Sequence, residues 1–248
     1  MIKNQIPNSL TLLNMLCGCL GILFLFTDSL SYIPYLLGVS FFADFLDGLV
    51  ARALGVSSPI GKELDSLADV VSFGVLPAML LVYLMAFEFY GHIEGFNFAN
   101  ALNHISTWQE GLMIGFPLII ALFAAYRLAK FNVSEEQSKE FFGLASPAAT
   151  IFIVGLFIIH TQGIEVQSVV GQKWLLILVS IIISALMVSN IPMFSFKLSR
   201  FSWQENKVQI IFVILSILLF LLFKIGALPL VIILYILINI ARSFFSKP

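Results

Sequence analysis

Long apolar runs constrain this chain more than any other feature. A backbone crossing hydrocarbon must satisfy its own hydrogen bonds, so about 20 consecutive apolar residues read as one transmembrane helix. The 248 residues divide into about eight such runs, near 11–27, 33–53, 64–87, 111–130, 145–162, 174–191, 208–223 and 225–241. Charged residues are only 11% of the chain and hydrophobic ones 60%, with a mean hydropathy of +1.02. A soluble domain carries roughly 25% charged residues. A polar surface cannot be built from so few charges, and a disordered chain needs far less apolar content. The expected fold class is therefore all-α, a polytopic membrane protein with about eight transmembrane helices. Only Lys224 parts the last two runs, with Gly226 just beyond. A tight helical hairpin is expected there, and one very long helix is the rival. No cleavage signature follows the first run, which reads as a retained span. Cys17 and Cys19 are too close together for a structural loop and too few for a metal cluster.

The scarce charges give an orientation. The net charge is −1, so no basic excess exists to neutralise a nucleic-acid backbone. With an even span count and a cytosolic N-terminus, Lys3, Arg52, Lys62, Arg127, Lys130, Lys139, Lys197, Arg200, Lys207, Arg242 and Lys247 fall inside. Only Lys173 and Lys224 fall outside. The positive-inside rule therefore places both termini in the cytosol. The 88–110 connection is then external, and 131–144 and 192–207 are internal. The last of these mixes aromatic and basic residues (Phe196, Lys197, Arg200, Phe201, Trp203) and is expected to lie along the interface. No internal repeat of the kind found in inverted-repeat transporters is visible.

Four of the five aspartates, Asp44, Asp47, Asp65 and Asp69, lie in spans two and three. An ionisable group in a span costs several kcal/mol and defaults to a functional explanation. Asp44, Asp47, Gly48, Ala51 and Arg52 fall at i, i+3, i+4, i+7 and i+8, and Gly61, Asp65 and Asp69 at i, i+4 and i+8. Each set shares one helical stripe. Gly55, Ser57, Ser58 and Pro59 between them are loop chemistry. The two spans therefore form an antiparallel pair whose acidic faces meet near the cytosolic end. Four clustered carboxylates repel one another unless a cation sits between them. Oxygen-only ligands favour Mg²⁺, Mn²⁺ or Ca²⁺, and two ions would suit phosphoryl chemistry. Gly48, Ala51 and Gly61 leave room for a ligand, although small residues also serve plain helix packing.

The pattern Asp44-x2-Asp47-Gly48-x2-Ala51-Arg52-x8-Gly61-x3-Asp65-x3-Asp69 resembles, without a departure, the signature of the CDP-alcohol phosphotransferase family. Flanking residues narrow the likeness. Ile6-Pro7-Asn8-Ser9-Leu10-Thr11 looks like the family's lead-in to span one. Lys62 to Val75, Tyr126 to Asn132 and Phe142 to Ala149 resemble the phosphatidylserine synthase branch. The resemblance covers about residues 6–149. It implies a catalytic core in residues 1–150, with 151–248 as additional transmembrane helices of the same membrane domain.

The resemblance further implies transfer of a phosphatidyl group from CDP-diacylglycerol to the hydroxyl of L-serine, releasing CMP. Asp44, Asp47, Asp65 and Asp69 would hold Mg²⁺ or Mn²⁺, two ions in all. Asp69 would also be the general base, with Asp65 beside it in catalysis. Asn8, Thr11, Asp47, Gly48, Ala51, Arg52 and Gly61 would receive the CDP moiety. The serine carboxylate needs a cation, and Arg127 can bind one bidentately. Lys130 is the second candidate, ahead of Asn132 and Ser72. The positive-inside rule alone would also explain both basic residues. His92, His104 and His160 are expected at the outer surface or interface, Lys62 and Glu63 in solvent, and the 25 phenylalanines facing lipid or packed. The family implies a homodimer, and a chain without organelle targeting suits a prokaryotic plasma membrane. Glycerol phosphate, inositol phosphate or choline are rival acceptors, but a phosphorylated one would need more basic residues around the site. A divalent-cation transporter and a silent membrane scaffold are the rivals from other classes.

Overall fold

The computed structural model describes residues 2–27, 29–56, 58–133, 141–164, 167–194 and 203–245. Helix α1 (Ile2–Phe24) starts well before the first apolar run, so the Ile6–Thr11 segment is helical. Helix α2 (Ile33–Leu54) ends at Gly55, whose φ of +62° is the left-handed C-terminal cap that glycine adopts without strain. Ser58 then caps α3 (Pro59–Val70), its hydroxyl accepting the Gly61 N–H at 3.0 Å. These two caps make the reversal between the acidic helices as short as the loop residues suggested. A π-helical turn at Val71–Val75 joins α3 to α4 (Leu76–Tyr90), giving one rod of 32 residues.

Beyond it come α5 (Phe98–Asn103), α6 (Trp108–Gly115) and α7 (Ile119–Val133). Thr107 and Glu110 form a reciprocal capping box that starts α6. Strand β1 (Phe141–Phe142) precedes α8 (Ser146–Thr161), α9 (Gln167–Val170) and α10 (Lys173–Val188). Strand β2 (Pro192–Met193) precedes α11 (Trp203–Phe223) and α12 (Ala227–Phe245). The two strands pair antiparallel, Phe141 against Met193, which is a small addition to an otherwise helical chain.

The apolar stretch Asn206–Ser243 is long enough to be one 38-residue helix. It is a hairpin instead. The rings of Phe212 and Tyr235 lie 5.9 Å apart, whereas 23 residues of continuous helix would separate them by about 35 Å. Lys224, at φ +50°, makes the reversal. Four further stretches are long and apolar enough to cross a membrane, and α8 and α10 are shorter apolar helices. The described residues thus hold eight rods, and the protein is an integral membrane protein. Side chains such as Ile214, Leu218, Leu221 and Leu222 on α11 are exposed and find their solvent in lipid.

Helix α8 is buried on almost every face, so its sequence is apolar all round. Close approaches surround it. A Cβ on Gly155 would lie 2.5 Å from Pro229 of α12, and one on Gly18 of α1 would lie 2.9 Å from the Ser72 Cα. Small residues of this kind let membrane helices pack backbone to backbone. His160 differs from its expected place. It is buried, with its ring 4.5 Å from that of Phe87 in an edge-to-face contact. His92 and His104 are exposed. Half of the expected interfacial segment at 192–207 lies outside the described residues, as does half of the 131–144 loop.

Candidate active site

The two acidic stripes do meet. Asp44 and Asp47 on α2 and Asp65 on α3 each present an oxygen, all within 4.8 Å of one another. Asp47 is buried, and Asp65 Oδ1 is buried without a hydrogen-bond partner among the described residues. An ionised carboxylate only accepts, so an orphaned oxygen facing two further carboxylates calls for a cation. The all-oxygen donor set fits a hard divalent ion.

Asp69, one helical turn beyond Asp65, stands outside this triad but against Asp44. Its Oδ1 accepts a hydrogen bond from Asn14 Nδ2 at 3.2 Å. The π-helical turn follows directly, and such turns are frequent at functional sites. Thr150 Oγ1 lies 3.2 Å from the Phe73 carbonyl in that turn, tying it to central α8.

A cavity of about 260 Å³ opens beside the triad. Asn8, Thr11, Asp47, Gly48, Ala51, Gly61 and Asp65 all line it. Thr11, one turn after Asn8 on α1, donates its hydroxyl to Asp47. A Cβ on Gly61 would sit 3.0 Å from Ser58 Oγ and 3.1 Å from Asn8 Oδ1, so glycine keeps this wall of the cavity close. Arg52 is exposed and does not line the cavity; its Nη1 lies 3.3 Å from where a Gly48 Cβ would be.

Lys62 is exposed, as expected, and it also lines the cavity and donates to the Asn132 carbonyl at 3.1 Å. Asn132 Nδ2 in turn donates to Ser66 Oγ at 2.8 Å. Asn132 therefore ties α7 to α3. Ser72 is likewise structural, buried and donating to the Asn14 carbonyl at 2.9 Å.

Arg127 projects from α7 into the same region. Its Nη1 donates to Ser146 Oγ at 3.3 Å, and its Nε is buried with no partner among the described residues. Asp69 is close enough to stabilise its charge. Lys130, almost a turn further, is exposed. Sequence reasoning passed over Asn14 and Ser40. The available signal was the polar and small stripe Asn8, Thr11, Asn14 and Gly18, at three- and four-residue steps along an otherwise apolar helix.

A largely helical membrane protein with a carboxylate triad beside a cavity, and a further carboxylate and an arginine behind it, is built for phosphoryl transfer at a membrane. The chain belongs to the CDP-alcohol phosphatidyltransferase family, whose sequence pattern matches residues 4–186. The match runs past residue 149, so α8 and most of α10 share the family pattern that the short motifs alone did not reveal. The CDP-diacylglycerol–serine O-phosphatidyltransferase of Helicobacter pylori is 28% identical over 213 residues, 85% of this chain and 80% of that protein. That of Bacillus subtilis is 31% identical over 176 residues, 70% of this chain and 87% of that protein. That of Methanocaldococcus jannaschii is 36% identical over 150 residues, 60% of this chain and 59% of that protein.

Proposed function

We propose that the protein is a CDP-diacylglycerol–serine O-phosphatidyltransferase. The observation that carries this is the placement of the Asp44–Asp47–Asp65 triad between a cavity walled by the family's small residues and the Asp69–Arg127 region. The cavity takes the CDP moiety through Asn8, Thr11, Gly48, Ala51 and Gly61, with Arg52 at its rim and Lys62 on its wall near the phosphates. Bound Mg²⁺ or Mn²⁺, two ions held by Asp44, Asp47, Asp65 and Asp69, would neutralise the pyrophosphate and the charge that develops in the transition state. Asp69 accepts the proton of the serine hydroxyl. The serine oxygen forms a bond to the phosphatidyl phosphorus, the pyrophosphate P–O bond breaks, and CMP leaves.

Arg127 holds the serine carboxylate, because its unpartnered Nε and its Nη groups offer the fork that a carboxylate needs. Lys130 is a peripheral second cation. The catalytic machinery lies within residues 1–150, and 151–248 complete the same membrane domain. The basic residues orient both termini and the site toward the cytosol. The prokaryotic relatives support a plasma-membrane location, and the family resemblance supports a homodimer.

The test is purified protein with CDP-diacylglycerol and a panel of labelled alcohols. CMP release should depend on serine, and release with another alcohol but not serine would overturn the acceptor. Arg127→Gln should raise the KM for serine about 10–100-fold, as expected for a lost charge-assisted pair. The KM for CDP-diacylglycerol should move less than about threefold. An unchanged serine KM would remove Arg127 from the acceptor site.

A further inference from the structure

Asn14 sits where three helices meet, and it is fully buried in an apolar stretch of α1. Every polar group it carries toward its neighbours is used. Its Nδ2 donates to Asp69 Oδ1 at 3.2 Å, its Oδ1 accepts the hydroxyl of Ser40 on α2, and its backbone carbonyl accepts the Ser72 hydroxyl at 2.9 Å. An ionised carboxylate can only accept, so the NH₂ end of the amide must face Asp69. The carbonyl end then faces Ser40, which must donate. The amide is thereby held in one orientation by α2 while it addresses α3.

Burying an amide in a membrane helix is costly unless its hydrogen bonds are made. Helix packing alone does not require it, because Gly18 one turn on already provides the close approach to Ser72. The arrangement has a consequence for the chemistry. One oxygen of Asp69 is occupied by Asn14, and the carboxyl also lies against Asp44. Its rotation about χ2 is therefore restricted, and the oxygen that must meet a substrate proton is presented in a fixed direction. A base misplaced by about 1 Å can lose 100-fold in rate.

We propose that Asn14, oriented by Ser40, is a positioning residue that aims the carboxylate of Asp69 at the acceptor hydroxyl; this rests on the role of Asp69 as base. Asn14 is neither a triad carboxylate nor a residue lining the cavity. Its one link to the proposed metal ligands runs through Asp69, which keeps its charge when Asn14 is lost, so the loss acts on how that carboxylate is aimed rather than on binding.

The experiment is steady-state kinetics of purified Asn14→Ala and Ser40→Ala proteins in detergent, with CDP-diacylglycerol and whichever alcohol the wild type uses best. Asn14→Ala should lower kcat about 10–100-fold. The KM for both substrates and the Mn²⁺ concentration for half activation should stay within about threefold of wild type. Ser40→Ala leaves the amide in place but free to turn, and should lower kcat about 3–10-fold with the same unchanged binding constants. Because it only trims a hydroxyl, Ser40→Ala decides the matter if Asn14→Ala does not fold. A kcat within twofold of wild type in the folded variants would overturn the proposal. So would a loss carried by KM or by Mn²⁺ activation. A wild type that uses an alcohol other than serine would overturn the acceptor assignment alone, since Asn14 is then judged with that alcohol.

Discussion

Asp69→Asn yields a folded protein that turns over at least about 1000-fold more slowly than the wild type, the upper part of the range for a lost general base. The substitution keeps shape and volume. Asparagine Oδ1 can still accept the hydrogen bond from Asn14 Nδ2, now 3.2 Å away. It also removes a charge from a membrane helix, which lowers the cost of burying that position. Stability should therefore be unchanged or higher, and the protein should elute as the same monodisperse species. An amide cannot take up the serine proton, so chemistry fails even at saturating substrates and metal. Rates of product release and unfolding temperatures, measured on the same preparation, check both halves. A variant with more than a tenth of the wild-type rate would remove Asp69 from the role of base.

Stripping divalent metal with EDTA abolishes turnover, and adding back Mg²⁺ or Mn²⁺ restores it. Three carboxylates whose oxygens lie within 4.8 Å of one another cannot all stay ionised without a counter-charge. Binding should also be visible without substrate. An ion that binds only the folded protein stabilises it by about 2.7 kcal/mol at 100 times its Kd. The unfolding temperature of the wild type should rise on Mn²⁺ titration. In Asp47→Ala the rise should need at least about tenfold more Mn²⁺, because one of the three ligands is gone. Full activity in EDTA, or a thermal shift untouched by Asp47→Ala, would remove the triad as the metal site.

Much of the site was legible because helical spacing is rigid. Asp44 and Asp47, three residues apart, and Asp65 and Asp69, four apart, must each share a helix face. The caps at Gly55 and Ser58 follow from the same short loop. The interior partners were less legible. Asn14, Ser40 and Thr150 are ordinary residues whose meaning lies in what faces them across helices, and pairings at separations of 26 to 77 residues leave no local pattern. Lys62 is exposed, as its loop-proximal position implies; its contact across the bundle was the illegible part. A lysine in such a turn gives no sign that Asn132 of α7 accepts from it at 3.1 Å. His160 is expected from topology at the outer surface or interface, yet the packing of α8 against α4 buries it beside Phe87.

The sequence by itself determined the class of fold, the metal-binding chemistry and the site's address, since apolar length and helical period act within single segments. The tertiary structure decided how those segments close. It settled the last apolar stretch as the expected hairpin at Lys224 rather than one long helix, with the rings of Phe212 and Tyr235 5.9 Å apart. It also set Asp69 apart from the triad and gave it a partner on α1. Residues on one helix are placed by covalent geometry, whereas distances between helices depend on which small residues let backbones approach, and only the assembled bundle shows that.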